Sequence, residues 1–200
     1  MTWLFVGLAY LLGCTPTSYL AGRLKGIDLR EHGSGNLGAT NAFRVMGWKS
    51  ALPVMVVDIA KGWVPTLFFP LWDGAEPLEW AFAYGAAAII GHVFSVFVGF
   101  RGGKGVATGG GVFMALAPWA VLLGFAVWGV IVALTRTVSL GSLAAALVLP
   151  LAVYVTNEPR AEVLLSVLLS LFVIYAHRTN IRRLVRGEEP RFGRGTRETA

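Results

Sequence analysis

Ala81-Phe-Ala-Tyr-Gly-Ala-Ala-Ala-Ile-Ile-Gly-His-Val-Phe-Ser-Val-Phe-Val98 holds no formal charge and only small, apolar or aromatic side chains apart from Ser95 and His92. At ~1.5 Å of rise per residue such a run is close to the length that crosses ~30 Å of hydrocarbon. Similar runs extend from Trp3 to Leu12, Val121 to Leu134, Leu143 to Val155 and Val163 to Ala176. Hydrophobic residues make up 56% of the 200 residues and charged ones 14%, with a mean hydropathy of +0.66. That balance places the chain outside the soluble globular class and in lipid.

Breaks and hydropathy together predict spans near 3–22, 50–71, 79–99, 105–117, 119–135, 138–156 and 162–177. The fold class is therefore all-α, a polytopic membrane protein with seven transmembrane helices forming a single domain over 1–200. Charge decides the count. With two passes between Val106 and Thr135, one side collects Arg23, Lys25, Arg30, Arg44, Lys49, Arg101, Lys104, Arg136 and the arginines of the 178–200 tail. The other keeps Asp73, Glu76, Glu79, Glu158 and Glu162, with Arg160. The positive-inside rule then puts the N-terminus outside and the C-terminus in the cytoplasm. The 105–117 limb is short for a crossing and suits a tilted helix or one buried in protein. Met1-Thr2-Trp3 lacks a positive n-region, which argues against a cleaved signal. Lone Cys14 reads as a small packing residue. The tail from His177 predicts an interfacial helix ended by Gly187, with arginines on anionic headgroups, and a disordered stretch from Arg194 to Ala200.

Gly33-Ser-Gly-Asn-Leu-Gly-Ala-Thr-Asn-Ala-Phe-Arg44 contains G-x-G-x-x-G at Gly33, Gly35 and Gly38. A dinucleotide site needs a preceding strand and a βαβ unit, and this loop lies between membrane helices. Its surviving content is an anion site: glycines that let N–H groups converge, donors from Ser34, Asn36, Thr40 and Asn41, and a two-pronged Arg44. Arg101-Gly-Gly-Lys-Gly-Val-Ala-Thr108 is no Walker A loop, yet Lys104 framed by Gly102, Gly103 and Gly105 at a helix start also suits an anion. Asp58 and Lys61 share a helix face. Unpaired, each costs ~2.5 to 3.5 kcal/mol at the bilayer centre, so they form a structural ion pair or face a substrate. His92 reads as a helix–helix hydrogen bond. No histidine is followed five positions later by aspartate, since Leu37, Phe97 and Arg182 stand there; a His-x-x-x-x-Asp dyad is excluded. No His/Cys/Asp/Glu cluster has metal spacing, so no metal is expected.

Ser34-Gly-Asn-Leu-Gly-Ala-Thr-Asn-Ala-Phe-Arg44, Asp58-Ile-Ala-Lys-Gly62, Gly91-His-Val-Phe94, Gly102-Gly-Lys-Gly-Val-Ala-Thr108 and His177-Arg-Thr-Asn-Ile-Arg-Arg-Leu184, with Gly187 and Glu189, closely resemble the bacterial membrane acyl-phosphate:glycerol-3-phosphate acyltransferases. Glu188 departs from the pattern, where a smaller residue is expected. The resemblance covers nearly the whole chain. It implies a seven-helix enzyme of the bacterial cytoplasmic (inner) membrane, with its active site on the cytoplasmic side, that transfers a fatty acyl group from acyl phosphate to the 1-hydroxyl of glycerol 3-phosphate. Lysophosphatidate and phosphate are the products, in phospholipid synthesis. It implies no cofactor, no acyl-CoA and no nucleic-acid partner, with membrane lipid around the protein and functional coupling to the enzyme that makes acyl phosphate. The expected catalytic set is His177, Asn180, Lys104 and Arg44. The expected substrate-binding set is Ser34, Gly35, Asn36, Thr40, Asn41, Asp58, Lys61, Gly102, Gly103, Gly105 and Ser142. The rival reading is a membrane transporter of a phosphate ester, which also needs buried charge and anion sites.

Overall fold

The computed structural model describes residues 1–74 and 77–191, with side chains from 79 onward in the second stretch. The reading of Arg194 to Ala200 lies outside these residues. Among the described residues every regular element is helical: α1 (Thr2–Cys14), α2 (Thr17–Arg23), α3 (Ala39–Met46), α4 (Trp48–Asp73), α5 (Pro77–Val93), a 3-10 turn (Val96–Val98), α6 (Val106–Leu116), α7 (Pro118–Thr135), α8 (Val138–Val155), α9 (Arg160–Ala176) and α10 (Arg178–Val185). The chain divides into two compact units, Met1–Pro118 and Trp119–Ala200.

The first apolar run is not one continuous helix. Proline has no N–H to extend α1, and the chain breaks at Thr15-Pro16 before α2 resumes. Carbonyls exposed at the break are taken up by other helices: Ser95 Oγ donates to Cys14 O at 2.5 Å and Lys61 Nζ to Thr15 O at 3.0 Å. Five helical segments are long and apolar enough to cross a membrane, six if the 59° bend between α9 and α10 falls within one span. The expected crossing at 105–117 is the short α6, whose 11 residues extend only ~16 Å. Thr108, Gly109, Gly111, Val112 and Phe113 of α6 are buried, so it sits in protein rather than in lipid.

Within the first unit α4 packs against α3, α5 and α6, and α1 against α5. Small residues set these distances. A Cβ on Gly62 meets the Thr108 carbonyl of α6, one on Gly111 the Ile59 carbonyl of α4, and one on Gly13 the Ala88 carbonyl of α5. In lipid, close backbone approach through such residues replaces the hydrophobic drive that packs soluble helices. Trp3 and Trp80 meet edge to face at 5.6 Å, joining the start of α1 to the start of α5. The opposite end of the unit therefore carries the 24–38 loop, α3, the start of α4, the end of α5 and the start of α6. Lys25, Arg30, Arg44 and Lys49 lie on those segments, Arg23 ends α2, and Arg101 and Lys104 lie in the loop before α6, whereas Lys61 stands in the middle of α4.

In the second unit α9 packs on α8, with Ser170 Oγ donating to Ala146 O. Gly141 of α8 lies against Trp128 and Val132 of α7.

Candidate functional site

The glycine-rich loop is folded by its own residues. Gly33 and Gly35 adopt φ of 64° and 72°, a left-handed conformation that other residues take only at a cost of ~1–2 kcal/mol. The Asn41 side chain sits in the resulting ring. Its Oδ1 accepts from Ser34 N at 2.8 Å, and its Nδ2 donates to Leu29 O at 3.2 Å and His32 O at 3.0 Å. Both amide hydrogens are thus committed, and Asn41 clamps the loop rather than offering a donor to an anion. The Gly35 amide is committed too, to His32 O at 3.1 Å. Leu29 and Leu37 anchor the loop in a cluster with Ala42, Ala51, Val54 and Val98, each leucine contributing about 1.5–3 kcal/mol. Ser34 remains exposed, and Asn36, Thr40 and Arg44 are half-buried at the start and along the length of α3.

An ion pair that the sequence did not mark fixes the loop's beginning. Arg30 holds both oxygens of Asp28, Nη2 to Oδ2 at 2.6 Å, and its guanidinium lies 4.9 Å from the Tyr19 ring centre. The Arg30 hydrogen bond pulls the Asp28 carboxyl down to about 2.

The second glycine loop is seated on the end of α5. Gly102 N donates to Val93 O at 2.9 Å and Gly103 N to His92 O at 3.1 Å, so these amides, expected to face substrate, instead satisfy orphan carbonyls of the last helical turn. No larger residue fits at either glycine: a Cβ on Gly102 meets the His92 carbonyl, and one on Gly103 meets the His92 ring and stands 2.9 Å from the Leu37 carbonyl. The two loops therefore touch, Leu37 of the first against Gly103 of the second. Gly105 adopts φ 80° as the residue that starts α6, and half-buried Lys104 precedes it. The opening amides of α6 have no earlier carbonyl within the helix to bond, which favours negative charge beside Lys104.

Asp58 and Lys61 form an ion pair. Their side chains pair at 2.8 Å and are each 3% exposed. Lys61 continues to Thr15 O, and the Asp58 carbonyl accepts from Thr108 Oγ1 at 2.9 Å. The pair staples α4 to the α1–α2 break. His92 Nδ1 stands 3.8 Å from Asp58 Oδ1, too far for the helix–helix hydrogen bond expected of it.

In the second unit a separate polar group is built around Glu189. Its Oε1 accepts from Asn180 Nδ2 at 2.7 Å and Ser139 Oγ at 2.8 Å, and its Oε2 from Arg183 Nε at 2.7 Å. Burial pushes this carboxyl up, but the hydrogen bonds from Arg183, Asn180 and Ser139 outweigh it and hold it below the usual glutamate range. Gly187, at φ 72°, turns the chain after α10 so that Glu189 folds back. Glu188, the departure from the family pattern, points into solvent and disturbs nothing. Ser142 lies buried one turn beyond Ser139 on the same face of α8. His177, 3% exposed at the α9–α10 bend, places Nδ1 2.8 Å from Val173 O. A carbonyl only accepts, so Nδ1 carries the proton and Nε2 is the basic nitrogen of the neutral ring. Among the described residues no group of three metal-ligating side chains forms.

The glycerol-3-phosphate acyltransferase family model matches residues 3–187. The chain belongs to that family. A glycerol-3-phosphate acyltransferase of Trichlorobacter lovleyi is 48% identical over 92% of this chain and 94% of its own. One of Synechococcus elongatus is 46% identical over 93% and 92%. The fold matches the crystal structure of PlsY (YgiH), an integral membrane glycerol 3-phosphate acyltransferase, in its glycerol 3-phosphate form, with a TM-score of 0.90, 39% identity and 96% of both chains covered. Its lysophosphatidic acid form matches with a TM-score of 0.87 and 38% identity. The chain is thus an integral membrane protein, as composition required.

Proposed function

We propose that this protein transfers a fatty acyl group from acyl phosphate to the 1-hydroxyl of glycerol 3-phosphate, giving lysophosphatidate and phosphate. The contact between Leu37 and Gly103 carries the reading, because it brings the Arg44 loop and the Lys104 loop together at the basic end of one unit. Two phosphate dianions ~7 Å apart repel by about 10 kcal/mol at an effective dielectric near 20. A single cation does not offset that, whereas Arg44, Lys104, the opening amides of α6 and the donors Ser34, Asn36 and Thr40 together do. We assign Ser142, His177 and Asn180 to the same reaction.

The acceptor hydroxyl oxygen attacks the acyl carbonyl carbon, the carbon–oxygen bond to phosphate breaks, and the phosphate leaves with its electron pair. The hydroxyl proton passes to a substrate phosphate, with His177 Nε2 as the competing base. Acyl phosphate is already activated, so positioning and charge neutralisation suffice and no covalent acyl-enzyme is required. We place the protein in the bacterial inner membrane with seven crossings, counting α6, and with the N-terminus outside. The basic end faces the cytoplasm, where the enzyme that makes acyl phosphate supplies the donor. We read residues 1–200 as a single integral membrane acyltransferase domain.

Purified protein in detergent, given acyl phosphate and glycerol 3-phosphate, tests the reading. Release of phosphate in step with lysophosphatidate is expected. Absence of both, with phosphate-ester uptake by vesicles carrying the protein, favours the transporter.

A further inference from the structure

Three buried polar atoms lack a hydrogen-bond partner among the described residues: Ser18 Oγ, His92 Nδ1 and Glu162 Oε2. Of these, His92 lies against the glycine loops. It occupies the last turn of α5 and is 5% exposed. Its carbonyl accepts from Gly103 N at 3.1 Å. Its ring fills the space into which a Gly103 side chain would project, on the side where the Leu37 carbonyl also stands. The other edge of the ring turns Nδ1 towards Asp58 Oδ1 at 3.8 Å, and Asp58 is itself held by Lys61 at 2.8 Å.

The imidazole is therefore a plate between two bodies. One is the buried ion pair of α4, which is anchored through Lys61 to the α1–α2 break. The other is the turn that carries Lys104. An unpaired buried nitrogen costs free energy comparable to a lost hydrogen bond, so the ring stays for what its volume and position provide.

We propose that His92 is a positioning residue for phosphate binding: its ring, braced by the Asp58–Lys61 pair, sets the Gly102–Gly105 turn against Leu37 and so fixes where Lys104 presents its ammonium. The proposal rests on the acyltransferase reading. Truncating the ring opens a void beneath Gly103, the turn settles into it, and Lys104 shifts. A displacement near 1 Å at a charged contact is enough to cost about tenfold or more.

The test compares wild type with His92→Ala and His92→Gln, purified in detergent, by steady-state kinetics in both substrates, direct binding of radiolabelled glycerol 3-phosphate, and thermal unfolding. Expected for His92→Ala is a rise of about tenfold in KM for one of the two phosphate substrates, with kcat within about threefold of wild type. His92→Gln, which refills part of the space, falls between. A folded His92→Ala with unchanged KM, or with kcat reduced at constant KM, overturns the proposal. Should His92→Ala fail to fold, His92→Gln and His92→Phe decide, with severalfold higher KM expected and wild-type KM in both overturning it. If wild type transfers no acyl group, the reaction assigned above fails instead. Binding then judges the role of His92: weaker glycerol 3-phosphate binding by about tenfold in His92→Ala supports it, and equal affinity, or no binding by wild type, overturns it.

Discussion

Asn180 donates from Nδ2 to Glu189 Oε1 at 2.7 Å, a hydrogen bond that fixes which face of the Asn180 amide turns away from the carboxylate. The same oxygen receives Ser139 Oγ, so one carboxylate ties α10 back to the start of α8. Replacing Glu189 by alanine removes the carboxylate that two buried side chains, Asn180 and Ser139, donate to. A loss of about 1–3 kcal/mol per abandoned group is expected, read as a lower unfolding midpoint together with loss of activity. Glu189→Gln keeps an acceptor oxygen and loses less.

The Glu189 carboxyl also sets a pH dependence. Its folded value lies below the ordinary value of 4.5, so its contribution to stability is fully present above the unfolded pKa. It is lost as pH falls through the lower folded value. Unfolding midpoints measured from neutral pH down into the acid range should drop more steeply for wild type than for Glu189→Gln. Parallel curves count against the role of this carboxylate.

Breaking the Asp58–Lys61 pair strands a charge that is almost fully enclosed. Asp58→Asn or Lys61→Met alone should destabilise the protein by about 3–5 kcal/mol, and the double replacement by less, because no lone charge remains. Thermal unfolding in detergent supplies the comparison. A double replacement as damaging as the sum of the two single ones sinks the ion-pair account.

Two glycines make an internally controlled pair. Gly103→Ala thrusts a methyl into the His92 ring and the Leu37 carbonyl, whereas Gly110→Ala meets nothing within 4 Å. Gly103→Ala should lower kcat/KM by about tenfold or more by moving the Lys104 turn. Gly110→Ala should leave activity intact and add up to ~1 kcal/mol of stability, since alanine favours the helix interior. Kinetics and unfolding of both variants provide the check.

The apolar helical segments were legible because length and hydropathy are local properties, whereas α3 lies in a stretch that reads as a loop. Even α6 showed itself as a run short for a crossing. The break at Thr15-Pro16 was also written in the sequence, in Pro16, but the predicted span of 3–22 passed over it. Its stability depends on Lys61 and Ser95, which are distant in sequence and lend their donors only in the fold. The candidate site was legible as residue types and not as partnerships. Asn41, Gly102 and Gly103 are donors of the sort an anion needs, yet each is consumed by a backbone carbonyl whose approach no spacing rule announces. Glu189 was visible as part of a family pattern. Its work, accepting three hydrogen bonds, becomes apparent only once Gly187 turns the chain.

His177 offers the sharpest division between two routes for the proton. With Nδ1 donating to Val173 O, Nε2 is left as the basic nitrogen, the tautomer a general base requires. If Nε2 takes the hydroxyl proton, His177→Ala should lower kcat by about 10²–10⁴-fold, the usual worth of a positioned acid–base group. The acidic limb of the pH–rate profile, set by the imidazole, should vanish with it. If a substrate phosphate takes the proton, His177→Ala should keep most of its kcat and the whole profile. A variant with a raised KM, near-normal kcat and an unshifted profile would assign the ring to holding substrate. The phosphate would then be the base, and the reaction would need nothing from the protein but geometry and positive charge.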